Sequence, residues 1–296
     1  MKKTINLNRL PDSYLQISYP DSAHRPGEEF FDITYSPNSD GYRSAEFKPD
    51  PGSENILTAG CSMTYGEGVP FDKTWPEQLK SKISGEVLNL SSAGRSFYTI
   101  IDDIYAYIEK YGKPKAIMIL FPEQERYQSY SFNKVKERVL ASNDSNYYKI
   151  LHSYTIFELN PASKNIIKDD EDLAFAKLIL THNNLQNDFM NRVFQLEKYL
   201  EAIDVPFMYT SWDEPTESFF WLSKKLKCFF PYTQKYKNKY VEENFDSPGD
   251  GEEDLWLEAA DREHGHAPHP GILFQNSFAN AFYNEAIARF GEKIFN

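Results

Sequence analysis

Two short stretches concentrate the residue types that do nucleophilic and acid–base chemistry. The first is Gly60-Cys61-Ser62-Met63-Thr64-Tyr65-Gly66, which follows the apolar pair Ile56-Leu57. Glycines bracket a serine just past an expected buried strand, and in open parallel sheets ligands bind beyond the carboxyl ends of the strands. A serine on such a turn exposes its hydroxyl while neighbouring backbone N–H groups converge on whatever it attacks. The competing reading is an ordinary strand-to-helix turn in which Ser62 merely caps the next helical turn. The second stretch is Asp261-Arg262-Glu263-His264-Gly265-His266-Ala267-Pro268-His269-Pro270-Gly271, which holds three of the six histidines just before an expected helix. An imidazole at the mouth of that helix can act as general base to a serine on the same rim. A metal held by His264, His266 and Asp261 is a second reading. Alternate residues point apart in extended chain, however, and no second ligand cluster exists. A solvated polar loop is the third. No metal and no cofactor is expected.

These residues need a scaffold, and the apolar pattern supplies one. After Ile56-Leu57 comes Thr74-Trp75-Pro76-Glu77, where Pro76 suits the first turn of a helix and Thr74 its cap; that helix is expected to end near Gly85. Glu86-Val87-Leu88-Asn89-Leu90 reads as a strand. Phe97, Ile100, Ile101, Ile104 and Ile108 then follow at helical spacing, closed by Gly112 and Pro114. Ala116–Phe121 is a continuous apolar run, the mark of a central parallel strand, and Pro122 stops it. This alternation over residues 55–121 predicts an α/β protein, a three-layer doubly wound sheet of mostly parallel strands.

Further along, residues 170–203 are expected to be a long helix or helix pair with Phe189, Val193, Leu196, Leu200 and Ile203 on one face. Val205–Thr210 reads as a strand, 216–229 as a helix and 272–290 as the closing helix. Residues 1–52 read as an N-terminal accessory segment of loops and short strands, among them Phe30–Tyr35. Its Asp40-Gly41 turn is expected to fold over the edge of the main sheet. The main domain then spans 53–296, with insertions near 122–169 and 231–254.

Composition narrows the function classes. Hydrophobic residues at 41% and charged residues at 26% are those of a globular chain. A net charge of -12 argues against a nucleic-acid partner, which needs clustered Lys and Arg. No apolar run approaches the roughly 20 residues that cross a bilayer, so no membrane partner is expected, and the N-terminus shows no secretory signal. Cys61 and Cys228 make neither a disulfide framework nor a zinc pattern, and Cys61 reads as a packed small side chain. These features suit the cytoplasm, or a virion component assembled there. Tyr127, Tyr130, Trp212, Trp221 and Trp256 either stack on sugar rings or fill a core or an oligomer interface. The oligomeric state does not follow from the sequence.

The two stretches, with one more, resemble the SGNH (GDSL-type) hydrolases. Gly60–Gly66 resembles that family's first block, with Cys61 where Asp is usual, and Asn89-Leu90-Ser91-Ser92-Ala93-Gly94 resembles the second. His269 stands ten residues before Ala279 on the closing helix, similar to the family's spacing from its catalytic His to a small helix residue. Asn38–Arg43, Gly66-Glu67-Gly68-Val69 and Thr74-Trp75-Pro76 resemble a bacterial and phage branch with an N-terminal extension. The resemblance implies a flavodoxin-like sheet and a serine esterase acting on a small ester, such as an O-acetyl group on a carbohydrate. It implies Ser62 as nucleophile, His269 as base, and an oxyanion hole from the N–H groups of Ser62 and Gly94.

Two departures qualify it. The family's third block supplies an Asn after the third strand, whereas Leu120-Phe121-Pro122-Glu123-Gln124-Glu125-Arg126 has none. Gln124 carries an equivalent amide, and Arg126 is a second donor. The family also places Asp three residues before the catalytic His, but position 266 is His. The resemblance leaves Asp261 as the orienting carboxylate, with Glu263 behind it. The pair Asp261 and His264 restores the three-residue spacing but breaks the helix register. Alternatives are a catalytically degenerate binding or structural protein, and an acyltransferase using the same groups.

Overall fold

The structure is a computed structural model and describes residues 18–21, 31–49, 54–67, 69–124, 127–130, 156–159, 184–223, 226–237 and 271–295. Strands β1 (Ser18–Asp21) and β2 (Phe31–Thr34) pair antiparallel. The central sheet contains β3 (Ile56–Gly60), β4 (Val87–Ser91), β5 (Ala116–Phe121) and β8 (Phe207–Ser211). A second antiparallel pair, β6 (Tyr127–Tyr130) with β7 (Ile156–Leu159), lies between β5 and β8 in the chain. The helices are α1 (Ser62–Tyr65), α2 (Trp75–Lys80), α3 (Phe97–Tyr111), α4 (Asn184–Ala202), α5 (Glu214–Leu222) and α6 (Ile272–Phe290).

The central sheet is parallel throughout, in the order β4-β3-β5-β8. Every residue of its four strands is buried, as expected where helices cover both faces. Side chains alternate at the strand period of two. Leu57, Ala59, Ile117, Ile119, Phe121 and Tyr209 face one core with α3 and α4. Ile56, Met118, Leu120 and Met208 face the other with α2 and α6. The three-layer, doubly wound α/β architecture is therefore the observed one. Phe189, Val193, Leu196 and Leu200 are fully buried on α4, each contributing about 1.5–3 kcal/mol relative to exposure. No helix among the described residues is long and apolar enough to cross a membrane.

Three local expectations need correction. Helix α2 stops at Lys80 rather than near Gly85, and the chain beyond it turns more tightly, as Lys82 and Ile83 donate to Leu79 and Lys80. Thr74 flanks α2 but does not cap it, because its hydroxyl donates back to the Phe71 carbonyl at 2.9 Å. Residues 216–229 are not one helix. Helix α5 ends at Leu222, and Phe229 pairs parallel with Tyr209 at the sheet edge. The cause is distant in sequence: the buried Glu197 carboxylate takes the N–H groups of Lys227 and Cys228, both at 3.0 Å.

The expected packing of the Asp40-Gly41 turn is seen directly. Asn38 Oδ1 accepts from the N–H groups of Asp40 and Tyr42 at 3.1 and 3.0 Å, and Gly41 takes φ 90°. Ser44 Oγ then accepts from the N–H of Asn89 on the edge strand β4 at 2.9 Å.

Candidate active site

Strand β3 ends at Gly60, which pairs with Ser91 of β4 on one side and Leu120 of β5 on the other. Ser62, Gly94 and Gln124 thus follow three adjacent parallel strands within a few residues of their C-terminal ends. The chain leaves β3 for β4 on one flank and returns to β5 on the other, so Ser62 sits at the topological switch point, where ligands bind in such sheets.

The turn at Ser62 is tightly built. A Cβ on Gly60 would lie 2.0 Å from Thr64 Oγ1 and 2.8 Å from the Leu120 carbonyl, so no larger residue fits there. Ser62 opens α1, and the first N–H groups of a helix have no partner within it. Gly66 closes the turn in the left-handed region, at φ 74°, and its N–H donates to the Ser62 carbonyl at 2.9 Å. The Ser62 hydroxyl does not cap the helix and has no hydrogen-bond partner among the described residues. Ser62 itself is buried. Cys61 is sealed in the core with Trp75 and Met118. Cys228 is also a free thiol, and burial pushes it up to about 12.

The second arm is the loop from β4 to α3. Gly94 takes φ 74°, a conformation other residues reach at a cost. The loop ends at Ser96, whose Oγ accepts from the Thr99 N–H as the cap of α3. Arg95 is pinned to Asp103 on α3 at 3.3 Å, both buried. Burial raises the Asp103 carboxyl to about 6, with Arg95 and then Tyr42 pulling it back. The third arm is the end of β5, where the Gln124 N–H donates to Thr216 Oγ1 at 2.9 Å. Asp213, the cap of α5, holds Thr216 in turn. Two enclosed atoms on this rim, Ser92 Oγ and Gln124 Oε1, have no hydrogen-bond partner among the described residues.

His269, His264, Asp261 and Arg126 lie outside the described residues. The helix that begins three residues after His269 does not. On α6, the buried Gln275 donates to the Met63 carbonyl at 3.0 Å and accepts from the Trp75 N–H at 2.8 Å. One amide thereby ties the first turn of the closing helix to the residue after Ser62. Asn89 plays a matching part from β4, donating to the Thr64 carbonyl at 3.1 Å. Sequence patterns alone do not single out either residue for this role. For Asn89 the available signal is a lone amide between apolar neighbours, Leu88-Asn89-Leu90, whereas Gln275 is followed at once by Asn276 and Ser277 and carries no such mark. Among the described residues no group of His, Cys, Asp and Glu is placed to hold a metal.

No protein-family model and no curated protein matches the chain. Among solved structures it is similar to the psychrotrophic esterase EstA of Pseudoalteromonas sp., solved inhibited by monoethylphosphonate. That likeness has a TM-score of 0.40 at 12% identity and covers 78% of this chain and 96% of that one. It is also similar to a member of the lipolytic protein G-D-S-L family from Veillonella parvula, with a TM-score of 0.30 at 15% identity over 80% of this chain and 97% of that one.

Proposed function

We propose that the protein is a serine esterase of the SGNH type that cleaves a small ester, with O-acetyl groups on a carbohydrate as the favoured class. The observation that carries the reading is the switch-point serine whose hydroxyl is unbonded among the described residues, joined through Met63 and Gln275 to the start of α6. His269 closely precedes that helix in the chain.

In this reading His269 takes the Ser62 proton as Oγ attacks the ester carbonyl. The resulting oxyanion is met by the N–H groups of Ser62 and Gly94, with the Gln124 amide as side-chain donor. Collapse breaks the C–O bond to the alcohol, which leaves with the proton from His269, and Ser62 is left acylated. Water then attacks the acyl-enzyme, giving its proton to His269, and the acid departs as Ser62 is reprotonated. Asp261 orients the imidazole, with His264 as the alternative base. The exposed Trp221, 61% accessible on α5, offers a ring face for a sugar.

The burial of Ser62 favours a second reading, a protein that keeps the fold for binding without catalysis. One experiment separates the two. Fluorophosphonate labelling and acetyl-ester hydrolysis are measured on the wild type and on Ser62→Ala. Labelling and turnover present in the wild type and lost in the variant support the esterase. A wild type that neither labels nor turns over leaves the binding reading.

A further inference from the structure

An esterase of this kind requires two loops to aim their N–H groups at one point, and something must fix the distance between them. Three consecutive residues of the N-terminal segment bear on them: Arg43 grips the first loop directly, while Tyr42 and Ser44 meet α3 and β4, the elements that flank the second. Arg43, only 1% exposed, donates through Nη1 to the carbonyls of Gly66 at 2.6 Å and Tyr65 at 3.2 Å, and through Nη2 to Val69 at 2.8 Å. Its neighbour Tyr42 is buried within electrostatic reach of Asp103, the partner of Arg95 beside Gly94, and its hydroxyl makes no hydrogen bond among the described residues. Ser44 holds the Asn89 N–H, and Asn89 in turn holds the Thr64 carbonyl.

The surroundings of Arg43 are unusual for a buried cation. It forms no ion pair among the described residues. It is enclosed instead by the rings of Tyr35 at 4.6 Å, Phe71 at 5.6 Å and Tyr65 at 5.7 Å, besides the three carbonyls. Glu77 lies within electrostatic reach of Arg43 but does not pair with it, and burying a charge without a paired anion is costly, so that a well-packed apolar residue commonly serves stability better. What an apolar residue lacks is the planar fork of donors that fixes several acceptors at once. The acceptors here belong to the peptides that close the nucleophile turn. Gly66, whose carbonyl Arg43 grips most closely, is also the residue whose N–H holds the Ser62 carbonyl. The Arg43 segment is itself braced by the Asn38 turn and by the Lys110–Asp40 ion pair at 2.5 Å.

We propose that Arg43 is a positioning residue that, with Tyr42 and Ser44, sets the Ser62 turn against the Gly94 loop so that the oxyanion hole is formed. The proposal rests on the esterase reading. Misplacing a reacting group by about 1 Å costs on the order of 10²-fold in rate.

The test compares wild type, Arg43→Lys and Arg43→Ala in 4-nitrophenyl acetate hydrolysis, with active sites counted by fluorophosphonate labelling so that misfolded molecules drop out. The expected result is a kcat per labelled site lower by about 10-fold for Arg43→Lys and about 10²-fold for Arg43→Ala, with KM within about twofold. Added methylguanidinium should recover part of the Arg43→Ala loss and leave Arg43→Lys unchanged. A kcat per labelled site within about twofold of wild type in either variant overturns the proposal. So does an Arg43→Lys protein that fails to fold, since the residue would then serve stability at large. A wild type that is not labelled overturns the esterase reading and this proposal with it.

Discussion

Gly60 offers the sharpest test of how the Ser62 turn is built. In Gly60→Ala the new methyl would sit 2.0 Å from Thr64 Oγ1, 2.7 Å from Thr64 Cβ and 2.8 Å from the Leu120 carbonyl oxygen. Rotating the threonine relieves the first contact alone. The other two fall roughly 0.6–0.7 Å short of ordinary contact at 3.4 Å, and they involve the base of α1 and the backbone of central strand β5. Inserting a methylene into a packed core costs about 1–3 kcal/mol, and the top of that range applies where backbone must move. We therefore expect a loss of about 3 kcal/mol in urea denaturation with an unchanged m-value. Since the displaced element carries Ser62, kcat should also fall by on the order of 10-fold, given about 10²-fold for a 1 Å error. Adding Thr64→Ala removes the worst contact and should restore less than half of the stability. Gly85→Ala is the control, as its methyl would meet only the Glu54 carbonyl, at 3.2 Å. A Gly60→Ala protein within about 0.5 kcal/mol of wild type, the range of an ordinary surface substitution, with normal turnover would refute the reasoning.

Asp103 makes stability pH-dependent in the sense opposite to most carboxylates. Its folded-state carboxyl is raised from 3.8 to about 6, so the folded protein holds more protons between those values and stability falls as pH rises through that window. Relative to Asp103→Asn, the wild type should lose on the order of 3 kcal/mol between pH 4 and pH 7. Parallel denaturation curves for the two proteins across that range would contradict it. Gln275→Leu should cost about 2–4 kcal/mol, because it leaves the Trp75 N–H and the Met63 carbonyl without their partner. Chemical denaturation measures this directly, and a loss below about 1 kcal/mol would show that water or a shifted side chain replaces the amide.

The features legible in the sequence are those whose causes are local. The four central strands read as apolar runs because both of their faces are covered, and α3 and α6 announce themselves by spacing and by Gly112 and Gly271. Ser62 and Gly94 are legible for a related reason, since a turn at a strand end demands small residues at fixed offsets. One misreading has the opposite cause. Nothing between residues 216 and 229 reveals that Glu197, some thirty positions earlier, captures the amides of Lys227 and Cys228 and ends helical pairing there. Thr74 has the composition of a cap, but its hydroxyl turns back to the Phe71 carbonyl, and position N2, which a cap would serve, is Pro76 with no N–H. Arg43 carries no local sign of burial, because its acceptors are carbonyls and its walls are aromatic rings.

The Gln275 amide has a bearing on the order in which this protein matures. A ribosome completes the serine turn early and adds the helix that fastens it only after some two hundred further residues have been made. Until then the Met63 carbonyl and the Trp75 N–H must be satisfied by solvent, and the turn is held by nearer partners such as Asn89 and Arg43. A nascent chain would thus carry the Ser62 turn through most of synthesis without its last brace, which arrives only as α6 docks. Docking of that helix is then the natural step at which the Ser62 turn becomes fixed in place.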